Sequence, residues 1–274
     1  MRDNDDTLGD LNYLVAMSER AFFFEDGAPT GLPQTNMRYE ARRVPIQNGR
    51  PIASAVSLDR QGFAFCNHPT VVRDFRDEET LHHVYYPESE EFIARITGAT
   101  RVVTFDHTLR RRMPDAYDRH ETFRLPAMRV HVDFTPASAR QRVRDVLPLE
   151  ADQLLSGRIE FINLWRPIRA PVLDAPVAVC DARSVNESDF VSADLIYRAR
   201  KGEIFYATFN PSHRWYYFPR MQTDEVLLLK NFDSETDRRA RCALHSAFLD
   251  PAAPDDAAPR ESIELRTIAF HGGQ

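Results

Sequence analysis

Residues 127–136 read Ala127-Met128-Arg129-Val130-His131-Val132-Asp133-Phe134-Thr135-Pro136, and the fold turns on how they are read. The apolar approach through Val130 predicts a strand running into His131-Val132-Asp133. Alternate strand residues face the same way, roughly 6.5–7 Å apart along the chain, so His131 and Asp133 would present an imidazole and a carboxylate side by side. Burying such a carboxylate without a cation or partner is costly, which favours a metal over two stray polar residues. A third ligand would complete a two-histidine, one-carboxylate set that leaves positions open on a ferrous ion. His245, in Cys242-Ala-Leu-His-Ser-Ala-Phe248, is the candidate; His213 and His107 are its rivals. His82-His83 is expected on the surface.

Working outward, Thr135 can cap a helix that starts at Pro136 and runs to about Leu147, with a shorter one over Leu149 to Ser156. A clearer helix spans Pro87 to Thr97: Glu88, Glu90 and Glu91 suit its positive end, and Gly98 stops it. Residues 11–24 mix apolar and polar residues and admit a short helix, with Phe22-Phe-Phe24 expected to pack on the core. Met37 to Ile46 reads as a strand turning through Asn48-Gly49 into a hairpin, and Ala53 to Asn67 continues in β fashion. Arg101 to Phe105 is a strand ending at Asp106-His107. From Arg158 onward the pattern is β throughout, with Asn163 and Trp165 on one strand face and Ile162 and Leu164 on the other. Asn210-Pro211-Ser212 is read as a hairpin turn. Many short strands with turns between them predict a sandwich or barrel in a single unit over 1–274, with 1–126 packing on the metal-bearing region 127–270.

The 274 residues can bury a full core, and 43% hydrophobic content excludes disorder. A net charge of −6 gives no basic footprint for nucleic acid. Three cysteines without CxxC spacing indicate a reducing compartment and no zinc knuckle. The acidic start is unlike a signal peptide, and no apolar run approaches the roughly 20 residues that span a bilayer. A cytoplasmic protein acting on a small molecule, without nucleic acid or membrane and with a homodimer as its admitted assembly, is expected. Of the 35 basic residues all but Lys201 and Lys230 are arginine, so no arginine is informative by its type alone.

A second constellation is Pro259-Arg260-Glu-Ser262-Ile-Glu264-Leu-Arg266. On a strand Arg260, Ser262, Glu264 and Arg266 would share a face, and an arginine fork with a hydroxyl suits a carboxylate. An ion-paired edge strand would read the same way. Asn163, Trp165, Arg166 and Arg183 are the candidate substrate contacts, since Arg166 and Arg183 could clamp an anion; structural ion pairs are an equal reading.

Between Val130 and Phe270 the blocks VHVDFT, NLWRPI, VCDARSV, HRWYYFPRM, DEVLLLKNFDS, HSAFLDP and PRESIELR follow in order. In these the chain resembles the iron(II)/2-oxoglutarate oxygenases of natural-product pathways, typified by gibberellin desaturase-like and cephalosporin 7α-hydroxylase-like proteins. The resemblance implies a mainly β double-stranded β-helix (jelly roll, cupin-like) with flanking helices. It implies His131, Asp133 and His245 as iron ligands and Arg260 with Ser262 on the far carboxylate of 2-oxoglutarate. The spacings from His131 to His245 and from His245 to Arg260 are longer than in better-known oxygenases, which keeps Arg266 open as the anchor. The implied cofactors are Fe(II), 2-oxoglutarate and O2. The implied reaction oxidises an unactivated C–H of a small acidic or amino-acid-like intermediate, by hydroxylation, desaturation or ring closure. A cupin-like metal enzyme without 2-oxoglutarate would lack the carboxylate anchor, and a non-catalytic binding protein would lack the triad.

Overall fold

The computed structural model describes residues 6–113 and 123–272. In chain order it runs β1 (Thr7–Leu14), β2 (Ala21–Phe24), β3 (Tyr39–Asn48) and β4 (Phe63–Asn67). A helical stretch follows: α1 (Glu78–Thr80), a π-turn over Leu81–Tyr85, and α2 (Tyr86–Thr97). Then come β5 (Arg101–Arg111), β6 (Phe123–Arg124), β7 (His131–Val132), α3 (Pro136–Val146) and α4 (Ala151–Leu154). The remainder is β8 (Ile159–Pro167), β9 (Val177–Cys180), β10 (Phe190–Ile196), β11 (Lys201–Ala207), β12 (Trp215–Tyr217), β13 (Glu225–Asp233), β14 (His245–Ala247) and β15 (Glu261–Phe270).

These strands form two curled sheets of the jelly-roll type, ordered β1-β3-β12-β9-β14-β7-β11-β10-β2 and β4-β13-β8-β15-β5-β6. Trp165, Leu227 and Leu229 of the smaller sheet meet Val179 of the larger one and make the core between them. On the smaller sheet's other face, Phe92 and Ile93 of α2 pack on Ile162, Leu164, Ile263 and Leu265. Each such side chain contributes about 1.5–3 kcal/mol on burial. This explains why β8 is buried along its whole length: one face looks into the sandwich and the other under the helix. At one end Ala139 and Val143 of α3 close against Ile159 and Phe161.

Local chemistry accounts for both long helices. Gly98 ends α2 in the left-handed region at φ 73°, and Thr135 caps α3, its Oγ1 accepting from the Ser138 amide at 3.2 Å. The π-turn starts the first helical run earlier than Pro87.

Several expectations are overturned. Residues 11–24 form no helix; Leu11 and Tyr13 alternate with Asn12 in β1, which pairs with β3. Asn48-Gly49 makes no hairpin, because β3 pairs with β1 and β12 and a 3-10 turn over Arg50–Ile52 follows. Gly49 has φ −79°, and a Cβ there would stand 2.8 Å from the Phe218 ring, so close packing and not turn geometry requires glycine. Only Phe63–Asn67 of the 53–67 segment is strand, and β5 runs on to Arg111. The helix expected over Leu149 to Ser156 shrinks to α4. The strands flanking Asn210 do not pair: β11 lies between β7 and β10, and β12 between β3 and β9. Strands β1, β2 and β3 lie in the larger sheet and β4, β5 and β6 in the smaller, which accords with a single unit. Among the described residues no helix is long and apolar enough to cross a membrane.

Candidate metal centre

Strand β7 is only two residues long, and its register sets the centre. His131 stands opposite His245 of β14 in an antiparallel pair, with ring centroids 4.4 Å apart. Val132 turns the other way, into the core beneath Val44 and Trp215. Asp133 follows on the histidine side, its Oδ1 3.3 Å from His131 Nε2. One ligand atom from each of His131, Asp133 and His245 lies within 4.8 Å of the others.

Both imidazoles are oriented by the backbone. His131 Nδ1 donates to the Arg129 carbonyl at 2.7 Å and His245 Nδ1 to that of Ala243 at 3.1 Å. A carbonyl can only accept, so each Nδ1 carries the proton and each Nε2 keeps its lone pair for a metal. Burial, helped by the neighbouring His131 and opposed by Asp133, pushes His245 down to about 4, so it is a neutral donor.

The other oxygen of Asp133 is occupied. Oδ2 accepts from Asn163 Nδ2 at 2.8 Å and from Arg266 Nε at 3.1 Å, while Asn231 Oδ1 fixes the backbone amide at 2.9 Å. Burial would raise this carboxyl, but Arg266 and His131 outweigh it and hold it well below the usual range. The result is one free carboxylate oxygen and two free imidazole nitrogens, a donor set that fits a non-haem ferrous ion.

Beside the histidines lies a narrow recess of about 20 Å³, walled by Arg110, Trp165, Ser246, Arg260 and Glu264. Arg260 is buried over Trp165, 5.5 Å from its ring centroid, and gives one N–H to the Ala175 carbonyl. Its Nε and the Ser262 hydroxyl are buried without a partner. Burial and the nearby Arg110 push Arg260 down to about 9, against the opposing pull of Glu264 and Asp174. At its present volume the recess admits a dicarboxylate only if side chains turn outward.

Arg266 is not free for that anion. Besides Asp133 it bonds Asp106, Thr108 and Glu264, so the expectation of a co-substrate anchor there is replaced by a carboxylate-holding role.

On the opposite side His131 and Asp133 open into a cavity of about 1020 Å³, between α3 and the β10–β11 turn. Four expected substrate contacts are not part of its wall. Arg166 has the opposite strand parity from Trp165 and is buried under α2, bonded to Tyr85 Oη and the Thr223 carbonyl. Arg183 is tied to Asp181 at 2.6 Å on the surface. Asn163 serves Asp133, and Trp165 lines the recess. The rival histidines are engaged elsewhere: His213 between Tyr13 and Asp189, His107 with Tyr86. His82 and His83 are exposed, as expected, though helical.

Sequence reasoning missed Asn231, Arg110, Arg142 and Arg200. Arg110 sits in an arginine run that reads as solvated surface, yet its strand parity matches Thr108, the Arg266 partner. A second carboxylate group, Asp59, Glu160 and Asp233, is filled by Lys230 Nζ at 2.7–2.9 Å.

The chain is similar to known proteins in sequence and fold. The chain matches the oxidoreductase/YMDC permease-like domain family over residues 11–270. It is 35% identical over 277 residues to the hydroxylase/desaturase efuI of Hormonema carpetanum, covering 90% of this chain and 92% of that protein. It is 33% identical over 249 residues to the Fe(II)/2-oxoglutarate-dependent dioxygenase nvfI of Aspergillus novofumigatus, covering 88% of each. The solved structure of the iron and alpha-ketoglutarate-dependent endoperoxidase NvfI superposes with a TM-score of 0.88 at 29% identity, covering 98% of this chain and 99% of that one.

Proposed function

The chain belongs to the Fe(II)/2-oxoglutarate-dependent oxygenases of natural-product pathways, and on that premise we propose that His131, Asp133 and His245 hold its ferrous ion and that Arg260 with Ser262 holds the far carboxylate of 2-oxoglutarate. As a member of this family it is an oxidoreductase that uses Fe(II), 2-oxoglutarate and O2. The observation that carries the residue assignment is the convergence of three free donor atoms at the boundary of recess and cavity. The orphaned Arg260 Nε and Ser262 Oγ support the co-substrate side, since an apolar or metal-only site would leave both unsatisfied.

Iron with 2-oxoglutarate and O2 supplies oxidative decarboxylation to succinate and CO2 and, with it, removal of hydrogen from a substrate C–H. The chain does the positioning. Ala243 and Arg129 carbonyls fix the imidazoles, Asn163 and Arg266 fix Asp133, and Arg260 sets how deep the co-substrate lies. The substrate, a natural-product intermediate, occupies the large cavity and presents one C–H to the centre. Hydroxylation, desaturation and ring closure all branch from the same carbon radical.

Anaerobic Fe(II) with 2-oxoglutarate gives the wild type the weak visible band of the chelate. Asp133→Ala and His245→Ala lose it, and His213→Ala keeps it. A band that survives Asp133→Ala sinks the ligand assignment; its absence from the wild type sinks the co-substrate reading.

A further inference from the structure

The large cavity holds cationic groups that its own carboxylates do not neutralise. Of its six acids, Asp133 and Asp106 are bonded by Arg266 and Asp194 and Glu203 by Arg20, while Glu25 and Asp145 make no ion pair with a described residue; eight cationic side chains line the wall against these six. Arg142 on α3 and Arg200 in the turn between β10 and β11 line the same space. Among the described residues neither meets a carboxylate oxygen within 4.0 Å. Each lies on an aromatic ring instead: Arg142 over Phe105 at 5.6 Å, Arg200 over Tyr197 at 3.9 Å. Stacking holds a guanidinium by its face and leaves its N–H edge free for a forked bond to an anion. Burial, and then the like charge of Arg200, lower the Arg142 pKa against the opposing pull of Asp145 and Asp106, so the two guanidiniums sense each other.

The rest of the cavity is a mixed wall with apolar groups, Phe134, Met128 and Ile204 among them. Helix α3 begins at Pro136, three residues after Asp133, and Arg142 stands six residues on, about 9 Å along the helix axis.

We propose that the substrate is a lipophilic organic anion whose acid group is forked by Arg142 and Arg200, with the oxidised carbon on the order of 10 Å deeper, beside His131 and Asp133. The position of the oxidised carbon rests on the proposed iron ligands; the anion site rests on the cavity alone. An amino acid is too short to span that distance, and a cavity of about 1020 Å³ suits a far larger body. Oxidation therefore falls at a carbon remote from the acid group.

Metal-free protein is titrated with 8-anilinonaphthalene-1-sulfonate and with uncharged N-phenyl-1-naphthylamine, probes that share an aromatic body and differ in the sulfonate. The sulfonate is expected to bind the wild type roughly tenfold more tightly. That advantage shrinks in Arg200→Gln and vanishes in the Arg142→Gln/Arg200→Gln double variant, with affinity for the neutral probe kept. Arg144→Gln, exposed on α3 and outside the cavity wall, retains the advantage. Equal wild-type affinity for both probes, or an advantage that survives the double substitution, overturns the proposal; so does a double variant that loses both probes together. A missing chelate band would overturn the iron assignment and leave these titrations as they are, so the two failures are distinguishable.

Discussion

Arg266 donates from Nε to Asp133 Oδ2 at 3.1 Å, the same oxygen that Asn163 reaches at 2.8 Å. Both bonds fall on one oxygen, so Oδ1 is left turned toward His131 Nε2. Glu264, Asp106 and Thr108 take the remaining guanidinium edges, so Arg266 cannot swing away. Burial, which would lower the Arg266 pKa, is outweighed by Asp133, Glu264 and Asp106, and the net shift is upward.

Arg266→Gln is therefore expected to weaken metal binding by about 10–100-fold, the usual cost of losing a group that orients a ligand. At saturating metal the KM for 2-oxoglutarate stays near the wild-type value. Chelator competition with Co(II) measures the first and initial rates the second. Unchanged metal affinity with a raised KM would return Arg266 to the role of co-substrate anchor.

Arg260 should behave in the opposite way. Removing one partner of a buried charge pair costs about 2–5 kcal/mol, so Arg260→Ala raises the KM for 2-oxoglutarate by more than about tenfold. Ser262→Ala removes a single hydrogen bond worth about 1 kcal/mol and raises KM about fivefold. Metal affinity holds in both variants. Anaerobic titration of the chelate band separates the effects, and an unaffected co-substrate affinity in Arg260→Ala would refute the anchor.

What the sequence made legible was local. The strand into His131-Val132-Asp133, the Thr135 cap, the Gly98 stop and the two faces of β8 each follow from spacing within a few residues. β1 and β2 were not legible as strands, because their hydrogen-bond partners are β3 and the distant β10. Gly49 misled because its reason is the Phe218 ring, far along the chain. Arg166 was misassigned although its parity already set it opposite Trp165. Arg142 and Arg200 were invisible in a chain where nearly every cation is arginine, since only the folded cavity brings them together.

His68 gives a pH signature independent of the metal. Its ring stacks on Phe92 with centroids 4.0 Å apart, and Nε2 is buried without a partner. Burial, with Arg166 adding to it, pushes the group from its ordinary 6.5 down to about 4. The unfolded chain then takes up the proton first, so stability is full above about pH 6.5 and falls as pH drops toward about 4. His68→Phe removes that loss. Urea midpoints at neutral pH and about pH 4.5 should fall less in the variant than in the wild type; an equal fall would show that His68 is not a source of acid sensitivity.

The strongest stability effect is expected at Lys230. Its ammonium is buried and meets Asp59 at 2.9 Å, Glu160 at 2.8 Å and Asp233 at 2.7 Å, with Arg158 as the second cation of the group. Burial would raise the Asp233 carboxyl, yet Arg158 and Lys230 hold it at about 2. Lys230→Met leaves Glu160 and Asp233 sharing Arg158 in the interior, with His271 as the other partner of Glu160. Breaking a buried ionic group by removing one partner costs about 3–5 kcal/mol, so the variant unfolds at markedly lower urea at neutral pH. Its folded state now favours a protonated carboxyl, raised above the unfolded value, so its stability deficit should narrow as pH falls from about 7 to about 4. Urea melts of both proteins at the two pH values test this. A variant as stable as the wild type, or a deficit that does not change with pH, would show that Lys230 is not the counter-charge of these carboxylates.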